Sequence, residues 1–242
     1  KEAADAQRGK LFAKLSKEIT IAARSGDPDP ETNSRLRTAI AAAKDVNMHN
    51  DNINRAVKKG TGELGGEQLQ DLTYEGYAPG GVAVMVFCLS DNKNRTASNV
   101  RTIFSKHNSN LAANGAVNWM FERKSTFTVT GEKADEETLL DIVVNAGADV
   151  EDIEAFDDTA QLVGAPDAFG DIAQALEDAG ISVSKSGITM FPKTTVSVTD
   201  PSTARQVLKL IDALEEDEDV QQVYSNYDIP DEVLEQLAEE AA

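Results

Sequence analysis

Between Thr126 and Pro192 the spacing of apolar residues switches repeatedly between strand and helix periods, in a fixed order. "TFTVTG" alternates as a strand, and "DEETLLDIVVNAG" repeats at helical spacing. "DVEDIEAFD" and "TAQLVG" form a strand pair, "DAFGDIAQALEDAG" a helix and "ISVSKSGITMFP" a last strand. Strand–helix–strand–strand–helix–strand is the split unit of ferredoxin-like domains. A shorter strand–helix–strand run lies on each side. The first is "GGVAVMVFCLS", "RTASNVRTIFSKH" and "GAVNWMFERK", where the second strand alternates through Val117, Trp119 and Phe121. The other is "TTVSVTD", "PSTARQVLKLIDALEE" and "DVQQVYSNYD". Each of these is half of such a unit. The order therefore predicts a split α/β domain, residues 73–123 and 194–229, with a second ferredoxin-like α/β domain, 124–193, inserted in it. Residues 230–242, "PDEVLEQLAEEAA" and its neighbours, read as an acidic tail in a short exposed helix.

The first sixty residues keep the helical period throughout. Leu11, Phe12, Leu15, Ile19 and Ala22 fall on one face at about 100° per residue. Lys10, Lys14, Lys17 and Arg24 fall on the other, with Ile21 among them. "GDPDP" stops this helix. Leu36, Ile40 and Ala43 mark a second. A third is predicted with Asn50 as its cap, Ile53, Ala56 and Val57 inward and Gly60 at its end. Three short-connected amphipathic helices predict a small bundle over residues 1–62. "GTGELGGEQ" reads as a flexible linker after it. The fold class is thus α+β and multi-domain, a helical bundle followed by two α/β domains.

Charge is distributed as unevenly as period. The 242 residues carry a formal net charge of −19. Residues 1–60 hold 12 Lys and Arg against 8 Asp and Glu, residues 61–124 hold 6 of each, and residues 125–242 hold 5 against 28. A chain so divided can dock on phosphate by one end while the other repels it or meets a protein partner. The longest apolar run, "GGVAVMVFCL", falls far short of the roughly 18 residues of a membrane helix. The single cysteine, Cys88, excludes a disulfide framework within the chain and fits a reducing cytoplasm. The chain opens on Lys with no signal-peptide pattern, which predicts a preceding segment.

No catalytic constellation can be assembled, and no cofactor or metal is implied. "GTGELG" matches a dinucleotide fingerprint in letters, but it follows a helix instead of a strand, so a hinge is the expected reading. "YEGYAPGGVAV" lacks the Lys and helix of a phosphate-binding loop. It reads as a turn at strand entry, with Tyr74 and Tyr77 exposed enough to stack on a base or peptide. His49 and His107 sit in no metal spacing, and Cys88 belongs to an apolar run. "EEDED" at 215–219 reads as a solvated helix end.

Against this background "LSDNKNRTASNVRTIFSKHNSNL" stands out. It carries Lys93, Arg95, Arg101, Lys106 and His107 with Asp91 as its only acid, and it is crowded with Asn. An apolar strand ends here in a loop that offers amides, cations and helix N–H groups together, which is what a phosphate site requires. Lys58 and Lys59, next to Gly60, form a second basic pair, although complementing the helix C-terminal dipole is a sufficient structural reason for them.

"YEGYAPGGVAVMVFCLSDNKNRT", "FSKHNSNL", "GAVNWMFERK" and "AVKKGTGE" together resemble the YebC/PmpR family, in the family's order and along nearly the whole chain. The resemblance implies three domains, one helical and two α/β, in a cytoplasmic, non-enzymatic nucleic-acid binder without cofactor. Bacterial members are described as probable transcriptional regulators, and mitochondrial relatives act as translational activators, some linked to stalled ribosomes. The implied surface falls on Lys10, Lys14, Lys58 and Lys59 and on Lys93, Arg95 and Arg101. His49 and Asn50 depart from the family, which often has Pro-Lys there. The expected partner is DNA, bound through the phosphate backbone. The rivals are ribosomal RNA on the ribosome, then a small-molecule ligand between the α/β domains, then an enzymatic activity. A monomer is expected.

Overall fold

A computed structural model of the chain describes residues 2–65 and 69–241, with side chains for 8–65 and 69–240. Its contacts divide it into two units, 1–65 with 123–190, and 66–122 with 191–242. Among the described residues it has eight α-helices and two four-stranded sheets.

In the first unit, α1 (Glu2–Ser25), α2 (Ser34–Asp45) and α3 (Asn50–Thr61) pack around Ile19, Ala22, Leu36, Ala43, Ile53 and Ala56. Leu11, placed by its period on the inner face, is instead 44% exposed. Asn33 sets the α1–α2 connection. Its side chain accepts from the Leu36 N–H as the cap of α2 and donates to the carbonyls of Ala22 and Asp27. The third helix differs from expectation at both ends. His49, not Asn50, is its cap residue, and the helix continues past Gly60 to a left-handed Gly62, whose N–H closes on the carbonyls of Lys58 and Lys59. Gly60 has a different job. A Cβ there would lie 2.5 Å from the Thr20 carbonyl oxygen, so it lets α3 approach α1. The glycine-rich match is therefore a helix C-terminus, whose carbonyls repel phosphate. Of the predicted linker, residues 66–68 lie outside the described residues.

The same unit contains β4 (Phe121–Thr130) from Arg123 onward, then α5 (Glu136–Ala146), β5 (Asp152–Phe156), β6 (Thr159–Gly164), α6 (Phe169–Asp178) and most of β7 (Val183–Pro192). The sheet order β5-β6-β4-β7 is the ferredoxin-like order. Phe127, Val129, Leu139, Val143, Leu162, Ile172 and Leu176 fill its core.

The second unit is built on a hairpin that periodicity missed. β1 (Gln70–Tyr77) pairs antiparallel with β2 (Ala83–Ser90), from Gln70 opposite Ser90 to Tyr77 opposite Ala83. "YEGY" is thus strand, not turn, and only 78–82 reverse the chain, with Gly80 and Gly81 at positive φ. Then come α4 (Lys93–Lys106), β3 (Asn110–Ala112), β8 (Val196–Ser197), α7 (Pro201–Glu215), β9 (Val220–Ser225), β10 (Tyr227–Asp228) and α8 (Asp231–Ala241). The sheet runs β3-β1-β2-β9, so the hairpin is central, while β8 pairs only with β10. Residues 115–120 do not form the expected strand; β4 starts at Phe121. The tail helix does not stand clear of the core, because Val233 and Leu237 lie against it.

Gly76 looks like a turn residue and is a packing residue. It faces Leu111 across the sheet, and a Cβ would lie 2.5 Å from the Phe104 ring and 2.6 Å from the Asn110 carbonyl oxygen. Gly76→Ala should destabilise the protein by about 1–3 kcal/mol in urea unfolding, whereas Gly187→Ala, with nothing within 4 Å of its Cβ, should stay within about 0.5 kcal/mol.

Asp135 and Asp200 cap α5 and α7. Side-chain hydrogen bonds from Thr138 and Thr203, then backbone N–H groups, hold both carboxyls below the ordinary aspartate range. Such depressed groups add stability that is complete above the unfolded value of about 3.9 and lost as pH falls through the lower folded value. The thermal midpoint should therefore fall less steeply below about pH 4 in Asp200→Asn than in the wild type.

Candidate nucleic-acid interface

The basic stretch folds as the end of β2, a two-residue turn and α4. Ser90 and Asn92 make the turn. The Ser90 hydroxyl accepts from the Asn92 N–H at 2.9 Å, and Asn92 caps α4 by accepting from the Arg95 N–H at 3.0 Å. Thr96, Val100 and Phe104 bury the inner face.

Arg95 is held by acids of the chain. Its guanidinium donates to both oxygens of Asp219 at 2.9–3.1 Å and to Asp91 at 3.0 Å. Those hydrogen bonds, Asp219 first, push its pKa further up. The buried Thr96 hydroxyl also bonds Asp219, at 2.8 Å, and the Leu89 N–H donates to the Asp219 carbonyl. Asp219 is only 5% exposed. The acidic run at 215–219 is therefore not all solvated, since its last residue is a buried anchor for the elbow. Asn99 reaches the same turn through Asp217 at 3.2 Å.

The other predicted cations divide between the units. Lys10 and Arg24 are exposed on α1, and Lys14 and Lys17 are half-buried there. Lys58 and Lys59 are exposed in the last turn of α3. Lys93, Arg101 and Lys106 are exposed on α4 in the second unit. Among the described residues, none of Lys58, Lys59, Lys93, Arg101 and Lys106 pairs with an acid. Five of the predicted cations are therefore open to an anionic partner, two in one unit and three in the other.

Three aromatic residues lie differently from expectation. Tyr74 and Tyr77 are half-buried in β1, and burial is the main cause raising the Tyr74 pKa. The Tyr77 hydroxyl donates to the Ala116 carbonyl. Trp119, read as an alternating strand residue, is 63% exposed on a short 3-10 turn. A buried carboxylate shapes that loop. Glu75 on β1, 3% exposed, accepts the N–H groups of Gly115 at 2.6 Å, Val117 at 2.9 Å and Asn118 at 2.7 Å. Nothing in the periodicity of 115–124 marks this; the only signal is a Glu opposite the apolar strand β2.

A cavity of about 280 Å³ in the first unit is lined by Arg37, Thr38, Phe127, Glu177 and Val183 among others. Its Arg37 is engaged by Glu177 and by the carbonyls of Pro30 and Glu31, which leaves little to recognise a small ligand. Among the described residues no group of His, Cys, Asp and Glu is placed to hold a metal, and no helix is long and apolar enough to cross a membrane. Cys88 is buried in the core.

Two family models together span most of the chain. Residues 1–63 match the family model described as the TACO1/YebC protein N-terminal domain, and residues 69–227 match the TACO1/YebC second and third domain. The chain belongs to the TACO1/YebC family. A relative in Desulfosudis oleivorans is 51% identical over 96% of this chain and 94% of its own. One in Aquifex aeolicus is 49% identical over 96% and 93%. Both carry the name "Probable transcriptional regulatory protein". The crystal structure of a conserved hypothetical protein from Aquifex aeolicus superimposes with a TM-score of 0.83 at 50% identity, covering 93% of this chain and 92% of that one. The helical domain and the two α/β sheets are thus the TACO1/YebC fold, and the elbow is one of its parts.

If Asp219 anchors the elbow, Asp219→Asn should cost about 1–3 kcal/mol in urea unfolding, because Arg95 and Thr96 lose a charged acceptor. Lys93→Glu, on the exposed side, should stay within about 0.5 kcal/mol.

Proposed function

We propose that the protein is a non-enzymatic regulator of gene expression that binds DNA through its exposed cations. The observation that supports this most is the set of five acid-free cations, Lys58, Lys59, Lys93, Arg101 and Lys106, in a chain of net charge −19. A charge balance so negative gives no general affinity for polyanions, so local cations must supply it. The name carried by the relatives in Desulfosudis oleivorans and Aquifex aeolicus points the same way. Contact is mainly with phosphate. Arg95 serves this surface indirectly, by fixing α4 against Asp219, and Lys10, Lys14 and Arg24 extend the surface along α1, whereas the Lys17 ammonium is buried and does not reach it.

A second reading is a translation factor that binds ribosomal RNA. The exposed indole of Trp119 favours it, since proteins that read RNA stack unpaired bases on aromatic rings.

A titration of labelled duplex DNA over a salt series tests the first reading. Affinity should fall by roughly two orders of magnitude or more between about 50 and 200 mM salt. The variant Lys58→Glu/Lys59→Glu/Lys93→Glu/Arg101→Glu should bind weakly and with a shallower salt slope. Affinity indifferent to salt, or equal in the variant, sinks the reading. Binding confined to ribosomes in co-sedimentation moves the assignment to the second.

A further inference from the structure

The outer face of α3 carries more than its two lysines. The inner side of the helix, Ile53, Ala56 and Val57 with Gly60, packs against α1 and the bundle core. At about 100° per residue the opposite side presents Asp51, Arg55 and Lys58, flanked by Asn52, Asn54 and Lys59. All six are exposed. Arg55 stands apart from most arginines of the chain. Arg35, Arg37, Arg95 and Arg205 are each paired with a carboxylate of the chain itself. Arg55 has Asp51 one turn before it, the spacing at which helical ion pairs form. The two are not joined. Asp51 lies 3.8 Å from His49, and among the described residues Arg55 meets no acid. One helix face therefore offers a free carboxylate and a free guanidinium fork side by side.

The place of Asp51 decides what such a face fits. A carboxylate in its middle repels a phosphate strand, so the face is not suited to lie along the backbone. Base edges in the major groove of DNA offer the matching groups. Guanine shows the acceptors N7 and O6 to a guanidinium fork, and cytosine shows an amino donor to a carboxylate. A helix about 10–12 Å across with its side chains enters a groove about 12 Å wide. Asp51 and Arg55 lie about 6 Å apart along the axis, which spans two base pairs at about 3.4 Å each. Lys58 and Lys59, in the last turn, then meet phosphates at the rim of the groove. We infer that α3 is the base-reading helix of the protein, with Arg55 on a guanine and Asp51 on the amino group of a nearby cytosine. The inference rests on the DNA reading above and adds to it a preference for a G·C-containing site, which phosphate contacts do not supply. Duplex RNA is excluded as the occupant, because its major groove is too narrow for side chains to read.

The full chain is used to select duplexes from a randomised DNA pool, and affinities for the selected site and its base-substituted versions are measured by anisotropy. The wild type should select a site with a fixed guanine. Arg55→Ala should bind that site roughly 5- to 150-fold more weakly and lose its preference at the guanine, with the thermal midpoint unchanged. Lys58→Ala should weaken all duplexes alike, keep the preference and reduce the salt slope by about one. Asp51→Ala separates the two modes by sign. Losing an acid tightens a surface that only follows phosphate, whereas a base-reading helix should bind its selected site more weakly. Duplex binding without sequence preference, a preference that survives Arg55→Ala, or tighter binding by Asp51→Ala overturns the base-reading assignment and leaves the phosphate reading intact. Failure to bind any duplex overturns the DNA reading and the base-reading helix with it.

Discussion

The second unit exists only because β2 finds β9. Ala83 and Asn226, 143 residues apart, exchange hydrogen bonds: the Asn226 side chain accepts from the Ala83 N–H at 2.8 Å, and its N–H donates to the Ala83 carbonyl at 3.2 Å. Asn226 is buried, so these polar groups have no water to fall back on. The β1–β2 hairpin alone is marginal by its size. Its core is shared across the gap, with Val84, Val86, Val100 and Phe104 from the first segment and Val207, Leu210, Leu214 and Val220 from the second. Asp219, just before β9, adds the electrostatic part of the same seam through Leu89, Arg95 and Thr96. Position of the elbow and closure of the split unit are one problem with one solution.

That seam changes how the elbow's basicity is understood. A stretch with so many cations in an acidic chain invites the view that all of them face a ligand. One of them, Arg95, is paired with an aspartate supplied by the most acidic part of the sequence. The pairing spends Arg95 on architecture and leaves Lys93, Arg101 and Lys106 on a helix whose orientation the pairing fixes. A flexible basic loop would bind phosphate too, but it would lose ordering entropy on doing so. Here that ordering is complete before any partner arrives.

Much of this was legible in the chain. The order of strands and helices over 126–192 was, since each carries its own period. The three N-terminal helices were legible apart from their ends. β1 was not, because Glu75 and Gly76 break its alternation for reasons outside the strand: one serves the loop at 115–118, the other makes room for Phe104. The same two residues hid the character of 115–120. Val117, Trp119 and Phe121 alternate by spacing, yet backbone N–H groups drawn to a distant carboxylate override the spacing. Of the candidate surface, the basic residues could be found by type. Whether a given one faced a ligand or an internal acid depended on Asp219, more than a hundred residues away.

The split of the second unit also imposes an order on synthesis. When β2 leaves the ribosome, its partner β9 lies about 130 residues downstream, which at about 5–20 residues per second is roughly ten seconds of elongation. For that interval the nascent hairpin has one unpaired, strongly apolar strand edge, the kind that recruits other strands. The inserted domain has its complete set of elements in the meantime, between the two halves, and can fold on its own schedule. The second unit thus closes only once β9 has emerged, long after its hairpin.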